Sequence, residues 1–226
     1  MNIIKTTSEL SQFCHYAYNF DYITVDTEFL RERTYYPKLC LIQLAIPGDQ
    51  ENRAVLIDPL EGNLDLSPLY KLFLDSDIVK VFHAARQDLE IFFHDKNIIP
   101  NPIFDTQLAA MVCGFGEQVG YETLVRSICK VNLDKSSRFT DWSLRPLSNK
   151  QQQYALADVT HLRQIYEYLK EQLKRNQRET WLEEELNILK NPETYITRPN
   201  EAWRRIKSRS NSSKFLAIVA RLAEFR

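Results

Sequence analysis

Two carboxylates two residues apart stand in an apolar run near the start of the sequence. Asp26 and Glu28 occur within residues 22–29 (YITVDTEF), whose β-branched and aromatic side chains predict a strand. Residues i and i+2 of a strand point to the same face, so the two carboxylates leave it together. At a buried edge the two acids repel each other and lose hydration, and a divalent cation removes that cost. The spacing indicates a cation site, with a solvated strand end as the alternative.

Two more acids and a tyrosine occur in elements that suit the same chemistry. Asp88 follows a predicted strand at residues 78–82, at the opening of a helix, where a carboxylate also serves as a cap or a dipole partner. Tyr154 and Asp158 lie four residues apart in a helical pattern over residues 149–174, so they share one helix face. A surface contact is the alternative for that pair. Together these residues give the order Asp-x-Glu, Asp, Tyr-x-x-x-Asp.

The elements that must position these side chains change character along the chain. Two further predicted strands, residues 39–46 and 54–57, follow the first after short turns, which favour antiparallel neighbours. From residue 67 the apolar period becomes helical, with helices expected at residues 69–74, 89–93, 106–112 and 121–130. A strand meander followed by alternating helices and strands predicts an α/β domain with a mixed sheet.

The segments around the acids resemble the motifs of the DEDD superfamily of 3′-to-5′ exonucleases. The matching segments are residues 25–29 (VDTEF), 83–89 (HAARQDL) and 154–159 (YALADV), with further similarity at residues 33–45 and 141–147. The histidine-bearing branch of that superfamily has its histidine five residues before the last aspartate, and this position is Gln153 here. The sequence therefore resembles the tyrosine-bearing branch, and within it the ribonuclease D family.

The resemblance implies a fold, a cofactor and a set of roles. It implies an RNase H-like exonuclease fold, in which a mixed sheet is flanked by helices. It also implies two divalent ions, Mg²⁺ or Mn²⁺, and no organic cofactor. By the same resemblance the ions are held by Asp26, Glu28, Asp88 and Asp158, while Tyr154 orients the attacking water.

Residues beside the motifs are candidates for holding the 3′ end of the substrate. Thr27, Phe29 and Leu30 adjoin the metal-site strand, and with Tyr154 they are expected to contact the terminal nucleotide. His83 is expected to touch the backbone of the same substrate strand. Core packing is the alternative for Phe29 and Leu30, and a structural role is the alternative for His83.

The activity implied is that of a 3′-5′ exoribonuclease that releases nucleoside 5′-monophosphates, with tRNA precursors as the expected RNA. A DNA 3′-5′ exonuclease of the proofreading or Werner type shares all five catalytic residues and is one alternative. An RNA-binding module with an inactive centre is the other, although all five catalytic positions are filled.

The C-terminal part differs from the rest in charge and pattern. Residues 1–169 carry a net charge of −6 and residues 170–226 a net charge of +5. We expect a catalytic domain at residues 1–190, a linker at 191–199, and short basic helices at 201–208 and 215–225. The segment from residue 200 resembles the opening of an HRDC domain, a helical nucleic-acid-binding module that would continue beyond residue 226.

Several basic residues are candidates for phosphate contacts, with ordinary solvated charge as the alternative for each. They are Lys135, Arg138 and Arg145 in a predicted loop, and Arg204, Arg205, Lys207 and Arg209 near the end of the chain. Trp142, in the same loop, is expected to be a packing anchor.

Composition excludes several classes of protein. Among the 226 residues, 44% are apolar and 26% charged, which is typical of a globular protein. The longest apolar stretch, residues 39–46, is far shorter than the roughly 20 residues that a membrane span needs, and no secretory signal is expected. Four scattered cysteines, Cys14, Cys40, Cys113 and Cys129, predict buried, reduced thiols in a cytoplasmic protein.

Overall fold

A computed structural model describes residues 3–32, 34–134, 136–196, 198–208 and 210–225 of the chain. The candidate phosphate ligands Lys135 and Arg209 lie outside these described residues. The chain divides into two compact units, Met1–Lys190 and Asn191–Arg226. No helix within the described part of the chain is long and apolar enough to cross a membrane.

The larger unit is built on a mixed sheet, as predicted. In its described residues the sheet has six strands in the order β1-β4-β3-β2-β5-β6. The strands are β1 Ile3–Ile4, β2 Tyr22–Leu30, β3 Lys38–Ala45, β4 Ala54–Ile57, β5 Val79–Phe82 and β6 Ile103–Asp105. β2, β3 and β4 form the expected antiparallel meander, and β1, β5 and β6 each join a neighbour in parallel.

The helices of the larger unit flank this sheet. They are α1 Thr7–Ala17, α2 Ser67–Phe73, α3 Arg86–Lys96, α4 Thr106–Val112, α5 Tyr121–Leu124, α6 Asn149–Arg175 and α7 Glu179–Lys190. The single helix expected at residues 121–130 is wrong: α5 lasts one turn and continues as a π-helical turn, Val125–Cys129. That turn ends at Lys130, whose φ of 60° is left-handed and cannot extend a helix.

The longest helix, α6, covers one face of the sheet at its centre. Leu41 and Leu56 pack against Ala155, and Ala45 packs against Val159. The Thr24 hydroxyl of β2 also donates a 2.8 Å hydrogen bond to the carbonyl of Val159. β2 and α6, the two elements that carry most of the candidate acids, are therefore fixed to each other.

The smaller unit is helical. It contains 3₁₀ turns at Pro192–Thr194 and Pro199–Arg205, and helix α8, Ser213–Phe225, which packs on the second turn. The helix expected at residues 201–208 is thus a 3₁₀ helix that starts and ends earlier. A proline at its first position favours such a start, and the extended backbone at Ile206 ends it.

Candidate active site

Three acids converge where β2 meets α6. Asp26 and Glu28 on β2 and Asp158 on α6 each offer a carboxylate oxygen, and these atoms all lie within 4.8 Å of one another. The β2 spacing puts the first two side chains on the face that α6 covers. The hydrogen bond from Thr24 to the carbonyl of Val159, next to Asp158, fixes the third against them.

Asp88, on α3, is not among the three acids whose oxygens lie within 4.8 Å of one another, but it is near enough for its charge to raise the pKa of Glu28. It lies in the first turn of that helix, is only 6% exposed, and accepts a hydrogen bond from the Thr27 hydroxyl of β2. The bend before α3 is held by Asp105, whose carboxylate accepts from the backbone nitrogens of Ala84 and Ala85 at 3.1 and 2.8 Å. Asp88 thus lies at the opening of a helix, as predicted. The bend sets the direction in which α3 leaves β5, so that Asp88 lies next to β2.

The carboxyl groups of this centre have raised pKa values. Burial, together with the charge of Asp158, raises the pKa of Asp26 well above its ordinary value. Burial and the neighbouring carboxylates raise the pKa of Glu28 to about 10. Burial and the charge of Asp26 likewise raise the pKa of Asp88. Each shift has the same cause, since carboxylates that lose water and face one another favour the protonated form.

Two neighbours oppose the effect of burial on Asp158. Burial raises its pKa to about 7, and a hydrogen bond from the Tyr154 hydroxyl and the charge of Arg138 act in the opposite direction. A set of partly buried carboxylates with raised pKa values fits a hard divalent cation, which would stabilise the ionised forms that the loss of water disfavours.

Tyr154 stands one helical turn before Asp158. Its ring packs beside Trp142, with 6.0 Å between ring centroids, and Trp142 is buried, as expected of a packing anchor. Burial raises the pKa of the Tyr154 phenol, and the charges of Asp158 and Glu28 raise it further. The hydroxyl therefore keeps its proton at physiological pH.

A cavity of about 240 Å³ opens beside these groups. Asp26, Tyr154 and Asp158 line it together with Tyr121 and Arg138. The charge of Arg138 lowers the pKa of Asp158 and Tyr154, so its guanidinium acts electrostatically on the acid cluster. The cavity thus joins an acidic wall to a cationic side chain, an arrangement suited to a phosphodiester.

The remaining candidate substrate contacts have different surroundings. His83 lines the same cavity, and its Nδ1 is 3.0 Å from the Thr106 hydroxyl oxygen. Burial lowers its pKa, which favours the neutral ring. Phe29 is partly exposed at the end of β2, while Leu30 packs on the core cluster around Leu41.

Arg145 is not a phosphate ligand in this structure. Its guanidinium is bound to Asp58 through Nε and Nη2, at 2.5 and 2.7 Å. Its remaining hydrogen bonds go to the carbonyls of Trp142, Leu144 and Cys40. Arg145 therefore links its loop to the sheet. The alternative prediction, an ordinary solvated charge on the loop, is also wrong, because the Arg145 side chain is only 14% exposed.

Two residues at the centre were not singled out from the sequence. Tyr121 lines the cavity, with its ring 5.5 Å from that of His83 and its hydroxyl donating to the carbonyl of Ala157. Gln43 lies on β3 directly across from Asp26. A signal existed for Gln43, the polar residue inside the apolar run at residues 39–46, whereas nothing local distinguishes Tyr121.

Comparison with known proteins shows the family of the chain. Residues 1–174 match the sequence model of a family described as 3′-5′ exonuclease. The chain is 62% identical over 223 residues to ribonuclease D of Jannaschia sp. (strain CCS1), covering 99% of this chain and 58% of that protein. It is 47% identical over 226 residues to ribonuclease D of Bartonella henselae, covering 100% of this chain and 55% of that protein.

A solved structure resembles the whole chain. The crystal structure of Escherichia coli RNase D, described as an exoribonuclease involved in structured RNA processing, superposes with a TM-score of 0.85 at 35% identity. The match covers 100% of this chain and 60% of the E. coli chain, so the chain spans little more than half the length of such relatives. On this fold, this centre and the family match, the chain belongs to the 3′-5′ exonuclease family.

Proposed function

We propose that the protein is a 3′-5′ exoribonuclease that removes nucleotides one at a time from RNA 3′ ends. The observation that carries this proposal is the cluster of Asp26, Glu28 and Asp158, whose carboxylate oxygens lie within 4.8 Å of one another beside the cavity. The family match supports hydrolysis from the 3′ end. The ribonuclease D name of the relatives supports RNA as the substrate.

The proposal assigns the four acids to two divalent cations, Mg²⁺ or Mn²⁺. Asp26, Glu28 and Asp158 would hold the cations, with Asp88 completing the set from α3. Such ions activate water and stabilise the attacking and leaving oxygens of an in-line displacement at phosphorus. The raised pKa values of these carboxyls support the assignment, because acids that have lost hydration and face other acids gain most from a bound cation.

The other residues of the cavity position the reactants. The Tyr154 hydroxyl would orient the attacking water, since burial raises its pKa and makes it a poor base. Arg138 would offset the charge of the scissile phosphate. His83 and Tyr121 would form the wall against which the terminal nucleotide rests, and Phe29 would contact its sugar or base.

The balance of atoms is that of hydrolysis. The oxygen of water bonds to the phosphorus of the terminal linkage, and the bond from phosphorus to the 3′ oxygen of the preceding nucleotide breaks. A proton goes to that leaving oxygen. The products are a nucleoside 5′-monophosphate and an RNA one nucleotide shorter with a 3′-hydroxyl.

The substrate and the C-terminal part are further proposals. The E. coli neighbour is described as acting in structured RNA processing, which supports structured RNA such as tRNA precursors as the substrate here. We assign residues 1–190 to catalysis, 191–199 to a linker and 200–226 to the start of an HRDC domain. Arg204, Arg205 and Lys207 would contact the RNA backbone there.

The test uses a 5′-labelled single-stranded RNA and its DNA twin, each with Mg²⁺, with Mn²⁺ or with EDTA. We expect a ladder that shortens from the 3′ end of the RNA, absent in EDTA and in Asp26→Ala. The exposed acid Asp77 supplies a matched control, and Asp77→Ala should act like the parent protein. Equal or faster shortening of DNA would favour the DNA exonuclease alternative. RNA binding without cleavage under any metal would favour the inactive module.

A further inference from the structure

Gln43 is a buried polar side chain in an apolar strand. The flanking residues of β3 are Ile42 and Leu44, and all three are 0% exposed. Within the described part of the chain, neither the amide nitrogen nor the carbonyl oxygen of its side chain has a hydrogen-bond partner. Burying both groups without hydrogen-bond partners costs the free energy of their lost hydration. A leucine or methionine would pack there without that cost.

The position of Gln43 indicates what its amide is for. In the sheet register Gln43 is the direct partner of Asp26, and side chains of such a pair lie on the same face about 4.5–5.5 Å apart at Cβ. That face is the one covered by α6, because Leu41 and Ala45, two residues to either side, pack on α6.

Of the two residues directly paired with Gln43 in the sheet, only Asp26 carries a carboxylate. The partner of Gln43 on β4 is Leu56, and the α6 residues that pack on this face of the sheet include Ala155 and Val159. The hydroxyl of Thr24, two residues before Asp26, already donates to the carbonyl of Val159. The Asp26 carboxylate is the acceptor that the register brings to Gln43.

We propose that Gln43 is a positioning residue for Asp26. When one carboxylate oxygen of Asp26 binds a cation, the Gln43 amide nitrogen donates a hydrogen bond to the other carboxylate oxygen of Asp26. This inference deepens the proposed function and rests on the cation site that it assigns. This role explains why β3 carries a polar residue at a position where an apolar residue would make the protein more stable. Hydrogen bonds to metal-binding side chains fix their orientation and strengthen metal binding.

The test measures Mn²⁺ binding by calorimetry for the parent protein, Gln43→Met and Leu41→Met. Methionine is close in size to both residues. Leu41 lies on the same face of β3, across from Glu28, so Leu41→Met measures the effect of a changed side-chain shape without the loss of an amide. We expect Gln43→Met to bind Mn²⁺ roughly 10–100-fold more weakly, and Leu41→Met to stay within about twofold of the parent. The metal-free melting temperature of Gln43→Met should equal or exceed that of the parent.

Unchanged Mn²⁺ affinity in Gln43→Met, with the parent protein binding normally, would overturn the role of Gln43 and leave the proposed function standing. A parent protein that binds no Mn²⁺ would overturn both.

A second measurement covers the case in which Gln43→Met does not fold. On Mg²⁺ addition to the parent protein, a side-chain amide proton of Gln43 should move downfield in NMR spectra, as it does on forming a hydrogen bond to a carboxylate. The side chain of Gln107, which donates to the carbonyl of Val119, supplies the internal reference. A Gln43 amide that does not move would contradict the proposal.

Discussion

The Thr27 hydroxyl donates a buried hydrogen bond to the Asp88 carboxylate, joining β2 to α3 across 61 residues of sequence. Thr27 follows Asp26 directly and is 6% exposed. Its hydroxyl proton is therefore used within the protein, and Thr27 serves to hold Asp88 beside the other acids.

Replacing that hydroxyl tests the arrangement. Thr27→Val keeps the shape and β-propensity of the residue but removes the donor. We expect about tenfold weaker Mn²⁺ binding and a similar fall in RNA cleavage, with Thr27→Ser close to the parent protein. Calorimetry and cleavage rates measured side by side would show this, and parental Mn²⁺ affinity in Thr27→Val would contradict it.

The acid cluster should destabilise the metal-free protein as pH rises. The pKa of Asp158 is about 7 and that of Glu28 about 10 in the folded state, against roughly 4 when unfolded. Between the unfolded and the folded pKa values the folded protein therefore binds more protons than the unfolded chain. Its stability falls as the pH rises through that range. In EDTA the melting temperature should fall as the pH rises from about 4 to about 10, and Mg²⁺ should restore most of the loss.

The same repulsion predicts opposite effects of one substitution on stability and activity. Asp26→Asn removes a charge from the cluster, so the metal-free protein should melt at a higher temperature than the parent near pH 8 while RNA cleavage is lost. Asp77→Asn, outside the cluster, should change neither. A lower melting temperature for Asp26→Asn would mean that the carboxylate is held by a partner other than a cation.

Tyr154 should affect the rate of turnover and not the binding of RNA. A phenol is a poor base near neutral pH, and burial raises the pKa of this one further, so orientation of the water is the expected role. We expect Tyr154→Phe to lower kcat by roughly 10–100-fold with KM and Mn²⁺ affinity little changed. Steady-state kinetics measured across pH would test this. If kcat of the parent protein changes with pH and that pH dependence is lost in Tyr154→Phe, the phenol itself titrates and the prediction is contradicted.

The ion pair between Arg145 and Asp58 should be a major element of stability. The Asp58 side chain is 1% exposed, so Arg145→Met would leave a buried carboxylate unpaired and lower the free energy of unfolding by about 3–5 kcal/mol. The exposed pair of Arg31 and Glu90 supplies a contrast, since Arg31→Met should cost no more than about 1 kcal/mol. Urea unfolding measures both, and equal losses would contradict the argument.

The elements that carry chemistry were predictable because their signals are local. Strand β2 is marked by its β-branched residues, and α6 by an apolar period over 27 residues and a capping box at Ser148. The acids on these elements follow directly. Strand β6 has three residues and no alternation to detect, so it was missed. Helices α1 and α7 were also missed, although the box formed by Thr6 and Glu9 at the start of α1 is a readable signal.

What the sequence could not supply are pairings between distant segments. Nothing near Arg145 indicates that Asp58, 87 residues earlier, neutralises it, and a basic residue in a predicted loop therefore suggested phosphate. The position of Gln43 opposite Asp26 likewise depends on strand register, which a single sequence determines only through the fold.

The most direct test of the central claim is the origin of the oxygen in the product. RNA would be digested to mononucleotides in water enriched in ¹⁸O, and the products weighed by mass spectrometry. Hydrolysis at the terminal phosphodiester predicts nucleoside 5′-monophosphates that carry one ¹⁸O on phosphorus, formed with Mg²⁺ and not in Asp26→Ala. Products ending in 3′-phosphates or cyclic phosphates, or longer internal fragments, would show attack by the RNA 2′-hydroxyl or internal cleavage and would contradict the account.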